Sequence, residues 1–154
     1  MGILDTPGFR GRSAARLDAK GRLRIPAKFR EVLQKHYTDA LIIFKREECL
    51  VAYPPEKWKE VVESKAENLS QFNPAHLTFV RHFVSGAEQC GFDSQGRILI
   101  PTMLRDATLL NQEVILVGML WNFEIWKKDA YDLQVARDSE NQAKAMEAVA
   151  TSGL

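Results

Sequence analysis

Cysteine is scarce in this chain, and long apolar runs are missing from it. The 154 residues include two cysteines, Cys49 and Cys90, which are too few for the disulfide framework of a small secreted domain. Both lie in apolar, strand-like surroundings, so we expect them to be small buried side chains. No apolar run approaches the length that crosses a bilayer, and the first residues lack the order of a secretory signal. We therefore expect a soluble, cytoplasmic protein with no membrane partner.

Sequence signatures of an active site or a metal site are also lacking. The three histidines, His36, His76 and His82, do not have the spacing of metal ligands. Neither cysteine has a nucleophile motif around it, and no glycine-rich loop that could hold a phosphate is present. We therefore predict that the protein is not an enzyme and that it has no catalytic residues, no metal and no cofactor.

Positive charge is concentrated near one end of the chain. The net charge is only +1, which alone would argue against a nucleic-acid partner. Residues 10–30, however, hold eight basic residues and a single acid, Asp18. A local excess of this size attracts polyanions even when the whole chain is nearly neutral.

One phrase of the sequence occurs twice. LDAKGRLRIP begins at Leu17, and 75 residues later FDSQGRILIP begins at Phe92. The similarity continues on both sides and predicts two units, 8–60 and 84–135, joined by a helical connector, 61–83, and followed by a polar helical or frayed tail, 136–154. The composition of each unit predicts a mainly β fold with helices, of the α+β class.

Each unit should begin with a tight turn between two strands. Asp18 and Gly21 suit the first and last positions of a type I turn, and glycine can adopt the positive φ of the bulge that closes a three-residue loop. Gly96 has the same place in the second unit. Pro26 favours a helix directly after the second strand, and a strand hairpin should follow. In the connector, Asn73 should cap a helix.

The alternation of side chains predicts a basic face on the first hairpin. If Asp18 lies opposite Arg22, then Arg16 lies opposite Arg24, and the apolar side chains collect on the other face. The basic face then carries five arginines (Arg10, Arg12, Arg16, Arg22 and Arg24). In the second hairpin Gln95 replaces Lys20 and Leu99 replaces Arg24. We therefore predict that the first hairpin contacts an anion, while the second mainly completes the fold, so that Arg97→Ala should weaken binding less than Arg22→Ala.

Three interpretations fit a basic hairpin of this kind. A two-stranded ribbon fits the major groove of DNA, where arginine can pair with both acceptors of guanine, and Lys20 with the neighbouring arginines could hold phosphates. The face could instead be a solvated basic edge on which each Asp–Arg pair only supports its turn. It could also bind an acidic protein, for example in an antitoxin-like interaction module with only non-specific DNA binding.

The two Asp-x-x-x-Arg phrases, DAKGR and DSQGR, each followed by Ile-Pro, resemble the MraZ family of bacterial transcriptional regulators of the division and cell wall gene cluster. Further matches are FRG from Phe9, Tyr53-Pro54 and Glu124–Trp126, so the resemblance covers about residues 8–135. It implies two AbrB-like swapped-hairpin units folded into one pseudo-symmetric, β-barrel-like core. It also implies ring-shaped homo-oligomers that bind short direct repeats in the promoter of their own operon, and hence a place in the nucleoid.

The resemblance assigns the family's functional Asp and Arg to Asp18 and Arg22, and to Asp93 and Arg97 in the second copy. Residues before Phe9 precede the family's usual start and could affect the basic face. The predicted interface with double-stranded DNA consists of the basic window and its acid (Arg10, Arg12, Arg16, Asp18, Lys20, Arg22, Arg24, Lys28 and Arg30), together with the second-copy pair and the two turn glycines, Gly21 and Gly96. The operator sequence, the ring size and the direction of regulation stay open.

Overall fold

A computed structural model describes residues 6–153 of the chain. The first half contains β1 (Arg12–Arg16), β2 (Arg22–Arg24), α1 (Ala27–His36), β3 (Ala40–Arg46) and β4 (Cys49–Tyr53). Between the two halves lie α2 (Pro55–Trp58), a π-helical segment (Lys59–Glu63), α3 (Ser64–Ala66), α4 (Pro74–Phe79) and a second π-helical segment (Val80–Val84). The second half contains β5 (Glu88–Gly91), β6 (Arg97–Leu99), α5 (Thr102–Thr108), β7 (Glu113–Gly118), β8 (Phe123–Lys127) and α6 (Lys128–Ala150).

The local predictions are confirmed where a single residue type determines the conformation. Pro26 directly precedes α1 with φ −54°, and Pro101 precedes α5 with φ −56°, because the proline ring fixes φ near the helical value. Asn73 caps α4, since its Oδ1 accepts a hydrogen bond from the backbone N of Ala75 at 2.9 Å. α6 begins at Lys128, eight residues before the start of the predicted tail, and ends at Ala150.

The strands of the two halves are interleaved in antiparallel pairs. In the six-stranded sheet the order is β1-β7-β8-β4-β3-β5, so β1 pairs with a strand of the second half and β5 with a strand of the first. β2 and β6 pair only with each other and form a separate two-stranded ribbon. The predicted α+β class is therefore confirmed. Within residues 6–153 the strands make an open sheet and a ribbon, not a closed barrel.

The exchange of strands corrects the predicted hairpin register. Leu17 still bridges Leu23, but beyond that point β1 leaves β2, so that Arg16 lies opposite Glu113 and Arg24 opposite Arg97. The predicted Arg16–Arg24 pair is wrong. The error has a physical reason in the sequence repeat. β1 and β6 have the same alternation of inward and outward side chains, so this alternation alone cannot tell which of the two strands pairs with β2.

The main core lies beneath the ribbon and fixes which of its faces points outward. Leu23 and Ile98 are almost completely buried on the inner face. They belong to a cluster that includes three aromatic rings, in which the centroid of Phe29 lies 4.8 Å from that of Phe123 and 5.7 Å from that of Phe9. The two cysteines are buried, as predicted.

Candidate nucleic-acid interface

Each Asp-x-x-x-Arg phrase folds into the predicted turn. The Oδ1 of Asp18 accepts hydrogen bonds from the backbone N of Lys20 and of Arg22, both at 2.9 Å. Gly21 donates its backbone N–H to the carbonyl of Asp18 at 3.0 Å and has φ +85°, which glycine adopts without steric cost. The second turn repeats this geometry with Asp93 and with Gly96 at φ +75°. Both turn glycines therefore have the positive φ that closes this kind of turn.

The same aspartates hold one side of an arginine side chain. Arg22 donates from Nε to Asp18 Oδ2 at 2.7 Å, and Arg97 donates from Nε to Asp93 Oδ2 at 2.9 Å. Among the described residues these are the only side-chain hydrogen bonds of the two arginines, so both Nη atoms of each guanidinium remain available. The Arg22 side chain is 35% exposed and that of Arg97 is 23% exposed. Each pair thus orients a fork of donors that can still bind an external acceptor.

Hydrogen bonding keeps both aspartates ionised. The backbone N–H of Arg22, assisted by the Arg22 guanidinium and the backbone N–H of Lys20, lowers the pKa of Asp18 from 3.8 to about 2. The backbone N–H of Arg97 likewise lowers the pKa of Asp93 below its ordinary value. At neutral pH each turn therefore contains a carboxylate that holds its arginine in one orientation.

The outward side of the β2–β6 ribbon carries three arginines and one leucine. We call Arg22, Arg24, Arg97 and Leu99 the ribbon face, because the residues between them, Leu23 and Ile98, point into the core. Arg22 lies opposite Leu99, and Arg24 lies opposite Arg97. Arg24 is exposed and donates from Nη1 to the carbonyl of Gln95 at 3.0 Å. In residues 6–153 no carboxylate pairs with Arg24. The two arginines therefore lie opposite each other, and only Arg97 has a carboxylate partner, Asp93.

Arg16 extends this positive surface onto the neighbouring strand. A shallow cleft of about 410 Å³ is lined by Arg16 of β1, by the three ribbon-face arginines and by Asp18. Arg16 also donates from Nη2 to the Oε1 of Gln112 at 3.2 Å. Lys20 is exposed at the tip of the first turn. The cleft therefore brings four of the predicted basic residues together, counting Arg97 from the second copy.

The remaining residues of the basic window lie apart from the ribbon face. Arg10 donates to the carbonyl oxygens of Thr6 and Gly8, and Arg10 and Lys28 line a different concavity of about 370 Å³. Arg12 places its guanidinium carbon 5.7 Å from the centroid of the Tyr131 ring on α6. Their side chains are exposed, but they do not line the cleft beside the ribbon. Residues 1–5, for which an effect on the basic face was considered, lie outside the described residues.

Arg30 packs against the fold instead of joining the cleft. Its guanidinium lies 4.7 Å from the centroid of the Phe92 ring and 3.5 Å from a carboxylate oxygen of Asp39. A Cβ on Gly96 would lie 2.7 Å from an Arg30 Nη atom, and a Cβ on Gly21 would lie 2.5 Å from the guanidinium carbon of Arg105. Each unit therefore contributes an arginine that packs on the turn glycine of the other unit.

Two neighbour relationships on the ribbon face are not predictable from the sequence, because strand exchange creates them. They place Arg97 opposite Arg24 and the exposed Leu99 opposite Arg22. The constant offset of 75 residues between the two phrases was the available signal. It shows that the two turns are equivalent, but it does not show that their strands pair.

Other kinds of site find no support in the part of the chain that is described. Within residues 6–153, no three His, Cys, Asp or Glu side chains are grouped as metal ligands. The helices of the same residues are all too short or too polar to span a membrane.

Comparison with known proteins identifies the family. A family model described as "MraZ protein, putative antitoxin-like" matches residues 9–81 and 83–152. Proteins named transcriptional regulator MraZ are similar along most of the chain. The one from Syntrophobacter fumaroxidans is 57% identical over 148 residues, which cover 96% of this chain and 98% of that protein. The one from Shewanella denitrificans is 40% identical, over 82% of this chain and 84% of that protein. The name that these relatives share, transcriptional regulator, does not denote a class of enzyme. With two matching segments and a relative of this identity, the chain belongs to the MraZ family.

Proposed function

We propose that this protein is a sequence-specific DNA-binding transcriptional regulator whose β2–β6 ribbon enters the major groove. The observation that carries the proposal is the ribbon face, on which Arg24 lies opposite Arg97 without a carboxylate of its own. The names of the relatives support a regulatory role. A two-stranded ribbon has the dimensions of the groove, and arginine is the side chain that most often pairs with guanine there.

The two Asp-bound arginines are suited to contact bases. Asp18 and Asp93 fix the Nε side of Arg22 and Arg97, which leaves the two Nη donors of each for a pair of acceptors such as O6 and N7 of guanine. Arg16, Lys20 and Arg24 have no carboxylate partner within residues 6–153 and can approach phosphates. In this arrangement phosphate contacts position the ribbon and the two fixed arginines select the sequence.

A single ribbon offers few contacts, so we propose that an oligomer binds several boxes at once. If the three phosphate-facing residues of one protomer each neutralise a phosphate, the slope of log K against log salt is about −2.7 for each engaged protomer. A second ribbon on the same oligomer then meets the next direct repeat at a high effective concentration. Ring-shaped homo-oligomers and promoter repeats of the protein's own operon fit this scheme, which also places the protein on the nucleoid in the cytoplasm.

The experiment is footprinting of the purified protein on the DNA upstream of its own gene at two salt concentrations, with light scattering to give the oligomeric mass. We expect protection of evenly spaced boxes that weakens steeply with salt. Because Arg22 and Arg97 have equivalent places on the ribbon, Arg22→Ala and Arg97→Ala should each reduce affinity by about tenfold or more. This replaces the expectation that Arg97→Ala is the milder change.

Lys144→Ala provides the control, because it removes one exposed positive charge from α6, outside the ribbon. It should leave the footprint unchanged. Uniform, salt-sensitive coverage without boxes would contradict sequence-specific regulation and would favour an interaction module with non-specific DNA binding. Normal footprints from both arginine variants would contradict the assignment to the ribbon.

A further inference from the structure

The ribbon face has an approximate twofold symmetry that fails at one pair of equivalent residues. Residues 75 apart are equivalent, so the axis passes through the central pair, Leu23 and Ile98. The backbone obeys it closely, because Ile25 donates to the carbonyl of Gly96 at 3.1 Å and Ile100 donates to that of Gly21 at 2.9 Å.

On the outward side the axis exchanges Arg22 with Arg97, which are identical residues in turns of the same hydrogen-bonding geometry. It also exchanges Arg24 with Leu99, which are different residues. The ribbon face therefore has one half that carries two arginines along its strand and one half that carries an arginine and a leucine.

Leu99 lies so close to Arg22 that any molecule bound to Arg22 also contacts the leucine side chain. It is 57% exposed and lies directly opposite Arg22, and opposite side chains of an antiparallel pair have Cβ atoms about 5 Å apart. A partner that bound only Leu99 would also desolvate Arg22, so the partner of the leucine and the partner of the arginines are the same molecule. A leucine can neither pair with a phosphate nor hydrogen-bond a base edge. In the major groove, its apolar counterpart is the C5-methyl group of thymine.

We propose that Leu99 is a specificity-determining residue that packs on a thymine methyl group and gives each DNA box a direction. This inference rests on the proposed function. A ribbon with true twofold symmetry would favour a palindromic box, since the symmetry of a site mirrors that of its protein. With Leu99 in place of a second Arg24, the two ends of the box are contacted by different chemistry, and boxes in the same orientation can be repeated head to tail.

The test replaces single thymines of one protected box by deoxyuridine, which removes only the methyl group. Wild-type protein should lose about fourfold in affinity at one position, which corresponds to burial of about one methyl-sized group. Leu99→Ala should still bind the box and should show no loss at that position. Leu133→Ala removes a leucine of similar exposure, 59%, from α6 and should keep the wild-type response to deoxyuridine.

The outcomes separate this inference from the function on which it rests. Specific binding by wild-type protein with no response to deoxyuridine at any position would overturn the role of Leu99 and leave the regulator intact. The same holds if folded Leu99→Ala keeps the fourfold response. If wild-type protein protects no box at all, the proposed function fails first, and the role of Leu99 with it.

A second variant tests the direction of the box independently of the methyl group. Leu99→Arg restores the symmetry of the ribbon face, so it should bind a palindromised box at least as tightly as the natural one. Wild-type protein should prefer the natural box. An equal preference in the two proteins would overturn the inference.

Discussion

Arg24 of β2 lies directly opposite Arg97 of β6, so two arginines that are 73 positions apart in the sequence share one cross-strand position. Like charges directly opposite each other destabilise a strand pair. The carboxylate of Asp93 offsets the charge of Arg97, whereas Arg24 donates only to a backbone carbonyl. An anion bound above this pair would remove the repulsion. We therefore expect Arg24 to lower the stability of the free protein and to raise its affinity for DNA.

Arg24→Leu should separate those two requirements. Leucine already occupies the equivalent position of the second strand, at Leu99, so the fold accommodates it there. We expect the free energy of unfolding to stay the same or to rise by a few tenths of a kcal/mol, because the like-charge pair is lost. Affinity for the protected boxes should fall about tenfold or more. Urea denaturation and gel-shift titration measure the two quantities, and a variant that is clearly less stable, or that binds normally, would contradict this role.

Gly21→Val should damage the first turn. Gly21 has φ +85°, and a Cβ would lie 2.5 Å from the Arg105 guanidinium carbon. A β-branched residue at positive φ costs about 2 kcal/mol, so we expect the melting temperature to fall by about 4–8 °C. Gly91→Val is the control, because a Cβ there meets no atom within 4 Å. Equal melting temperatures for the two variants would show that the turn does not depend on its glycine.

The ionised state of Asp18 predicts a pH dependence of stability. Its pKa is about 2 in the folded protein, against 3.8 ordinarily. Because the folded pKa is the lower one, the stabilisation is complete above about pH 4 and is lost as the pH falls towards 2. Asp18→Asn should therefore be less stable than wild type at pH 7, and the difference should shrink between pH 4 and pH 2. Urea denaturation at several pH values measures this, and a difference that stays constant would contradict the account.

Local features of the sequence predicted the turns, the helix starts and the strands correctly. Asp18 and Gly21 define a turn by hydrogen bonding and φ alone, and Pro26 and Asn73 define helix starts in the same way. These interactions join residues a few positions apart, so the sequence contains all the information they need.

The partner of each strand could not be predicted from the alternation of side chains. β2 has two possible partners with the same apolar pattern, β1 and β6, and the pattern fits both. The interface inherits that ambiguity, since Arg97 and Leu99 join the ribbon face only through strand exchange. The separation of Arg10 and Lys28 from the ribbon likewise depends on packing between elements, which a charge count along the sequence does not contain.

The most direct test of the ribbon as the DNA-binding element is cleavage of DNA by an iron chelate attached to it. Ala19→Cys provides an exposed attachment point beside Lys20 at the tip of the first turn. The native thiols should not react, because Cys49 and Cys90 are buried and burial raises the pKa of each, to about 12 and about 11. Ala143→Cys on the exposed part of α6 is the matched control. We predict cleavage inside every protected box from position 19 and none from position 143; cleavage from position 143 with none from position 19 would contradict the account.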